Sequence, residues 1–384
     1  MCIRDSDITF NDTATNLTMT TTNISSTNYT GLVFGNGKVG FQTTSSGYKI
    51  GSSYISGVFD KKKMGVQKSR KINGFNFGEF ALEGLTGYTS NNDYTQVCDL
   101  HKCTHKITET QNHSSNPNIA VNYEIMPLRQ MPHAVLTIIT LTATGGNVSN
   151  LKFSHKITEP SNKDITDTKF ETEVVDTNSK KLRMTTARGK LKDSDNDLVM
   201  CSLYMFGTAP SNDLGLPESY QTTADTPIGQ HKDIFTVDLT SATPFKIGIL
   251  TSMVSDKDFE RPLIEAKRLT LGGALNQVGS TDPIATLKAD HESRWATLWA
   301  SNLRMSSKTG LTDNDTAIFN KLQRLMFMSQ FQFFCNVNDV FFNGVSRSGL
   351  TSGGSGNIFY AVSYTHLRAH ETREDLVCRL LLEK

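Results

Sequence analysis

PFKIGILTSMVSDKDFERPLIEAKRLT, residues 244–270, holds two kinds of order in one short stretch. Pro244–Met253 is a run of β-branched and apolar side chains of strand length. From Asp258 to Thr270 the apolar residues return at three- and four-residue spacing, which is the period of a helix. The periodicity therefore changes near residue 258. Strands lie before that point and helices after it.

Working outward toward the N-terminus, strand-like runs recur at Gly31–Thr43, Tyr48–Phe59, Phe75–Glu83, Val121–Met126, Ala134–Ala143 and Leu198–Phe206. Clusters such as Gly145-Gly146-Asn147 and Ser194-Asp195-Asn196-Asp197 read as the turns between them. Leu136–Leu141 is almost continuously apolar, as expected of a strand buried on both faces. So many strands fit a large two-sheet sandwich. Toward the C-terminus, Asp282-Pro283 supplies a helix start for Ile284–Ser301, with Pro suited to the first turn. A further helix begins at Thr312 or Asp313 and carries Ile318, Leu322, Leu325, Met326, Ser329 and Phe333 on one face. Residues 338–360 then read as a Gly- and Ser-rich loop. The fold class is mainly β followed by α, in two domains.

The 384 residues are 37% hydrophobic and 20% charged, enough apolar material for a substantial core. A net charge of +1 offers no field for nucleic acid or an anionic membrane, and no apolar run is long enough to span a bilayer. MCIRDS at residues 1–6 and the stretch at 361–384 resemble translated sequencing-adapter read-through, so both are set aside from fold reasoning. On that reading the natural chain continues past residue 360, and the compartment is not legible. Cys98, Cys103, Cys201 and Cys335 are too few for a disulfide scaffold in so long a chain.

Three local patterns add up to a resemblance. Phe34-Gly35-Asn36-Gly37-Lys38-Val39-Gly40 lies near the start, His291-x3-Trp295-x3-Trp299 lies on the helix after the sandwich, and Ser348-Gly349-Leu350 precedes Gly356-Asn357-Ile358-Phe359-Tyr360. Together they resemble glycoside hydrolase family 65, which contains disaccharide phosphorylases, acid trehalases and a glucosyl-galactosyl-hydroxylysine glucosidase. The first resembles that family's Asn-Gly-aromatic-aliphatic-Gly opening, with Lys38 replacing the aromatic. The second resembles its His/Trp/Trp linker helix. The third resembles its Gly-Leu…Gly-His-x-Phe-Trp-Asp loop, with Asn357 for the His and Tyr360 for the Trp, and Ala361 where the Asp is expected.

The resemblance implies a large antiparallel, galactose-mutarotase-like β super-sandwich over 7–275, a helical linker over 276–310 and the opening of a truncated (α/α)6 barrel over 311–360. It implies an inverting enzyme that cleaves an α-linked glucoside or oligosaccharide, with inorganic phosphate as co-substrate in a phosphorylase and no other cofactor. Inversion needs a carboxylic acid to protonate the leaving oxygen. In the resembled family that Glu lies deep in the barrel, so it is expected beyond residue 360 and no catalytic residue is assigned. Asn357, Phe359 and Tyr360 are the substrate-binding candidates: an aromatic face covers a pyranose, and an amide hydrogen-bonds its hydroxyls. Trp295 and Trp299 read as domain-interface packing. The unburied face of the helix after Thr312 makes the isolated chain aggregation-prone.

Other patterns carry less. Cys98-x2-His101-x-Cys103-x-His105 contains zinc-type ligands, but on one strand His101, Cys103 and His105 would share a face without Cys98, so no metal is expected. Lys61-Lys62-Lys63 and Lys68-Ser69-Arg70-Lys71 read as a solvated basic loop. Gly353-Gly354-Ser355-Gly356 lacks the Lys-Ser/Thr of a phosphate loop. The rival reading is a non-catalytic carbohydrate-binding or adhesion β-sandwich, which requires no carboxylate-bearing barrel.

Overall fold

In the computed structural model the described residues are 9–13, 16–22, 31–44, 48–60, 70–90, 93–160, 164–177, 180–191, 196–208, 222–225, 229–275, 282–301, 303 and 312–338. Asn357, Phe359, Tyr360, the two adapter-like ends, the Gly353–Gly356 run and most of the basic loop lie outside them.

The chain is mainly β, with large antiparallel sheets. One sheet runs in the order β1 (Thr9–Thr13), β2 (Asn16–Thr21), β10 (Thr95–Asp99), β11 (Thr104–Asn112), β12 (Asn118–Pro127), β13 (Ala134–Thr144), β20 (Phe245–Ser255), β17 (Asp197–Thr208), β16 (Lys180–Leu191) and β15 (Ile165–Thr177). β9 (Thr89–Ser90) pairs with β11 off this path. A second sheet orders β18 (Thr222–Asp225), β19 (Gln230–Leu239), β14 (Val148–Thr158) and β8 (Asn76–Glu83). β3 (Val33–Gly35), β4 (Val39–Thr43) and β5 (Ile50–Ile55) form a third, and β6 (Phe59–Asp60) pairs with β7 (Arg70–Lys71).

The period-2 pattern divides the apolar residues of the long central strands between two cores. Along β13, Val135, Ile139 and Leu141 face one core while Ala134, Leu136 and Ile138 face the other. β17 divides in the same way, with Met200, Tyr204 and Phe206 on one side and Cys201, Leu203 and Met205 on the other. The first core also takes Phe77, Phe153 and Phe235 from the second sheet, so the two sheets pack as a sandwich. The second core is roofed by helices: Ala266 and Ala274 of α1 (Pro262–Leu275), and Ile284 and Leu287 of α2 (Pro283–Ala300). Burial on both faces explains the continuous Leu136–Leu141 run. Each such side chain stabilises the fold by roughly 1.5–3 kcal/mol.

Several expected boundaries move for physical reasons. The Gly31–Thr43 run is a hairpin, β3 and β4, broken at Asn36-Gly37-Lys38. Tyr48–Phe59 is likewise divided, between β5 and β6. The helix expected from Asp258 begins at Pro262, because proline suits the first helical position and disfavours helical backbone at Arg261 before it, and Glu265 N–H closes the first turn on the Arg261 carbonyl at 3.1 Å. It runs on to Leu275, past the expected Thr270. α2 starts where Asp282-Pro283 indicates, with the Asp282 carboxylate accepting from Ala285 N–H at 2.9 Å. α3 (Asp313–Asn336) opens on a capping box between Thr312 and Asp315. Among the described residues no helix is long and apolar enough to cross a membrane.

Candidate functional site

The opening motif, the His/Trp/Trp helix and the end of α3 meet at one seam. Asn36 turns the β3–β4 hairpin: its Oδ1 accepts from the N–H groups of Lys38 at 3.0 Å and Val39 at 2.9 Å, and its Nδ2 donates to the Leu128 carbonyl at 2.8 Å. Gly37 has φ of 88°, and a Cβ there would stand 2.4 Å from the Val337 carbonyl carbon. Only glycine meets both conditions. Its N–H donates to the Cys335 carbonyl at 2.9 Å, and Asn338 Nδ2 donates to the Asn36 carbonyl at 2.7 Å. The last carbonyls of α3 are closed from the other side by Arg129, whose Nη1 donates to Phe334 O at 3.0 Å and to Val337 O at 2.5 Å. The hairpin and Arg129 thus fix where the chain leaves α3.

His291, Trp295 and Trp299 are buried one helical turn apart on α2 and line the same seam. His291 Nδ1 accepts from Arg129 N–H at 3.2 Å, so its Nε2 donates to the Lys102 carbonyl at 2.8 Å. This neutral tautomer agrees with a pKa that burial pushes down to about 4. Trp295 lies 5.9 Å from Phe331, and Trp299 packs edge-on to Phe334 at 5.2 Å while donating to the Leu100 carbonyl at 3.1 Å. The two tryptophans thus pack α2 against α3 and the β10–β11 turn.

Lys38 is buried and forms a salt bridge with Asp258, with a second bond from Nζ to the Ser56 carbonyl at 2.8 Å. His133 Nε2 lies 3.7 Å from the same carboxylate. Burial alone would raise the Asp258 carboxyl, but His133 and Lys38 outweigh it and hold the group below the usual carboxylate range. Sequence reasoning noted Lys38 only as a departure from an aromatic. It missed Asp258, His133, Arg129 and Asn338, and Arg129 sits in a turn that carries no motif.

The Cys/His stretch does not form one strand. Residues 100–103 are the β10–β11 turn, so Cys98 and His105 face each other across the hairpin. His101 stacks on Trp299, Cys103 points to the Gly35 carbonyl, and His105 is 2.7 Å from the Gln96 amide. The four potential ligands diverge. Among the described residues no His, Cys, Asp or Glu group is arranged to hold a metal ion.

A second polar cluster is closed inside the sandwich. Asp233 accepts from Arg183 Nε at 2.9 Å, Thr185 Oγ1 at 2.7 Å and Tyr204 OH at 2.8 Å, and His231 Nε2 lies 3.2 Å from it. Burial would raise this carboxyl, yet His231, Arg183 and Thr185 hold it well below the usual range. The Tyr204 proton is committed to Asp233, so His155 Nδ1–H donates to the Tyr204 oxygen at 2.8 Å while Nε2 accepts from Gly78 N–H at 3.2 Å. Every member is buried, and the arrangement suits internal cross-linking of the sheets. A groove of about 740 Å³ lies elsewhere, between β15–β17 and the start of α1, lined by Lys169, Arg188, Lys190 and Arg261 with Asp167 and Asp197.

No protein-family profile and no curated relative matches the chain. Its fold is similar to that of a solved structure described as "Putative kojibiose phosphorylase from human microbiome", with a TM-score of 0.63 at 12% identity. The match covers 94% of this chain and 47% of that one, so the chain spans about half the length of the structure it resembles.

Proposed function

We propose that this chain is the sandwich, linker and first barrel helix of an inverting enzyme acting on α-linked glucosides, by phosphorolysis or hydrolysis. The observation that carries the reading is the state of α3. One side of it is tied to the sandwich through Phe331, Cys335 and Arg129. On the other side Ile318, Leu322, Leu325 and Phe333 are 51%, 48%, 64% and 53% exposed. Such a face suits a helix that belongs to a larger helical layer. The fold likeness to a chain about twice as long supports the same reading.

In this proposal the seam is a positioning device. Arg129, Gly37 and Asn338 fix the point from which residues 339–360 start, and that segment carries Asn357, Phe359 and Tyr360. The aromatic pair covers the apolar face of a glucosyl unit and Asn357 hydrogen-bonds its hydroxyls. The general acid is a barrel Glu beyond residue 360, and inorganic phosphate or an activated water attacks from the opposite face.

The first test is to sequence the source DNA across the codons for Tyr360 and beyond. An Asp codon directly after Tyr360, followed by a long helical coding region, supports the enzyme. A template that encodes Ala361–Lys384 and then stops refutes it. The complete product is then incubated with α-linked disaccharides and inorganic phosphate, and the anomer of any glucose 1-phosphate released is read by proton NMR. Inversion predicts the β anomer.

A further inference from the structure

Three turns converge at the end of the sandwich away from the seam: residues 84–88 after β8, 113–117 between β11 and β12, and 145–150 leading into β14. They enclose a pocket of about 300 Å³, lined among others by Glu83, Tyr88, Asn116, Asn147, Asn150 and Lys152. β11 and β12 both run between the seam and this rim: Cys103 and Leu128 flank them at one end, Asn112 and Asn118 stand at the other. The length of such a strand, roughly 30 Å, separates the pocket from the point where the chain leaves α3.

The turns are tied to one another and to the sheets. Tyr88 OH donates to the Pro117 carbonyl at 3.1 Å, and its ring lies 4.8 Å from that of His113. His113 Nδ1 accepts from the N–H groups of Ser115 at 3.1 Å and Asn116 at 3.0 Å. Ser241 N–H donates to Asn147 Oδ1 at 2.7 Å, and Asn150, with φ of 55°, donates its N–H to the Asp238 carboxylate at 2.7 Å. Polar capacity is left over inside this frame. Among the described residues Asn147 Nδ2, both ends of the Asn150 side-chain amide and Lys152 Nζ have no hydrogen-bond partner, and only one end of the Asn116 amide is engaged, 3.2 Å from His113 Nε2. Ser154 Oγ and Lys232 Nζ both reach Glu83 Oε1 at 2.6 Å, which leaves Oε2 to accept. Burial would raise the Glu83 carboxyl, but Lys232 and Ser154 outweigh it and hold the group below the usual carboxylate range.

This set of groups selects a ligand class. One carboxylate and one ammonium cancel, so the pocket presents no net charge to an anion or a cation. Side-chain amides both donate and accept, as each hydroxyl of a sugar does. The half-buried ring of Tyr88 gives the apolar surface that a pyranose face needs. We propose that the pocket is a non-catalytic subsite for a neutral oligosaccharide, which holds a glycan on the sandwich at a distance from the barrel. The proposal stands on the sandwich alone and does not depend on the enzyme reading.

Saturation-transfer NMR, which tolerates self-association of the chain, tests binding of maltotetraose, cellotetraose and xylotetraose to the full chain. At least one should receive transfer at millimolar concentration. Asn150→Gly suits the left-handed backbone and removes the amide, and Lys152→Met removes the ammonium from an exposed position. Together they should weaken binding by about tenfold or more while the urea midpoint stays unchanged. No transfer to any of the three sugars overturns the proposal, as does equal affinity in the double variant. Loss of binding in Tyr360→Ala with full retention in the double variant would put the sugar on the 339–360 segment and also overturn it. The two readings fail separately: a gene that stops after Lys384 ends the enzyme and leaves this site standing, whereas a gene that continues into a barrel does not rescue a sandwich that binds no sugar.

Discussion

Acidification from pH 7 to pH 5 is expected to destabilise this chain strongly, and the loss is assigned chiefly to three buried histidines. Burial pushes His105 down to about 3, and His155 and His291 down to about 4. The ordinary value is about 6.5. Two of the rings are also bonded as neutral tautomers: His155 between Tyr204 and Gly78, His291 between Arg129 and Lys102. With folded values below unfolded ones, the unfolded chain takes up protons first. Stability is complete above about pH 6.5 and falls as pH drops toward the folded values. At pH 5 the unfolded state holds close to three more protons than the folded one, a slope of about 4 kcal/mol per pH unit. Integrated from pH 7, each ring loses roughly 2 kcal/mol and the three together about 5–6 kcal/mol. A domain holds only about 5–15 kcal/mol in all.

The carboxylates lie in a different window. Asp233, Asp258 and Asp282 are held below their ordinary range by cationic partners, so their contribution is lost only below about pH 4. Asp99, raised by burial, acts in the opposite sense and offsets part of the histidine loss. Urea unfolding at pH 7, 6, 5.5 and 5, followed by tryptophan fluorescence, measures the slope directly, since both tryptophans, Trp295 and Trp299, are buried at the α2–α3 joint. His291→Gln should remove about a third of the slope between pH 6.5 and 5. A stability independent of pH from 7 to 5, with loss confined below pH 4, would show the reasoning to be wrong.

Removing the cap on α3 with Arg129→Ala should cost about 1.5–3 kcal/mol, because two half-buried carbonyls lose a charged donor. The check is a urea midpoint shift together with faster proteolysis near Val337. Lys38→Met leaves the Asp258 carboxylate buried without its cation and should cost about 3 kcal/mol, whereas adding Asp258→Leu should recover most of it. A double-mutant cycle that returns additive losses would deny the coupling. Replacing Leu322 and Leu325 together with Glu should change stability by less than about 0.5 kcal/mol. Light scattering should show reduced self-association, and unchanged scattering would mean that this face is not what makes the chain associate.

What was legible in the sequence is what depends on near neighbours. The alternation of β13 and the buried run Leu136–Leu141 follow from a period of two, and the starts of α2 and α3 follow from Asp282-Pro283 and Thr312. The β10–β11 hairpin was not legible because its turn has neither Gly nor Pro. Cys103 itself takes the left-handed conformation that such a turn usually assigns to glycine, and its thiol faces the Gly35 carbonyl. Long-range charge was also hidden. Lys38 and Asp258 stand 220 residues apart, and nothing local to either announces the other.

Lys38 is a fully buried cation in the opening hairpin. A buried ammonium is tolerated only where its lost hydration is replaced. Here Asp258, the Ser56 carbonyl and a fixed turn before α1 replace it together. An aromatic at position 38 would need none of them and would leave Asp258 buried opposite an apolar ring. Lys38 and Asp258 therefore have to change as a pair.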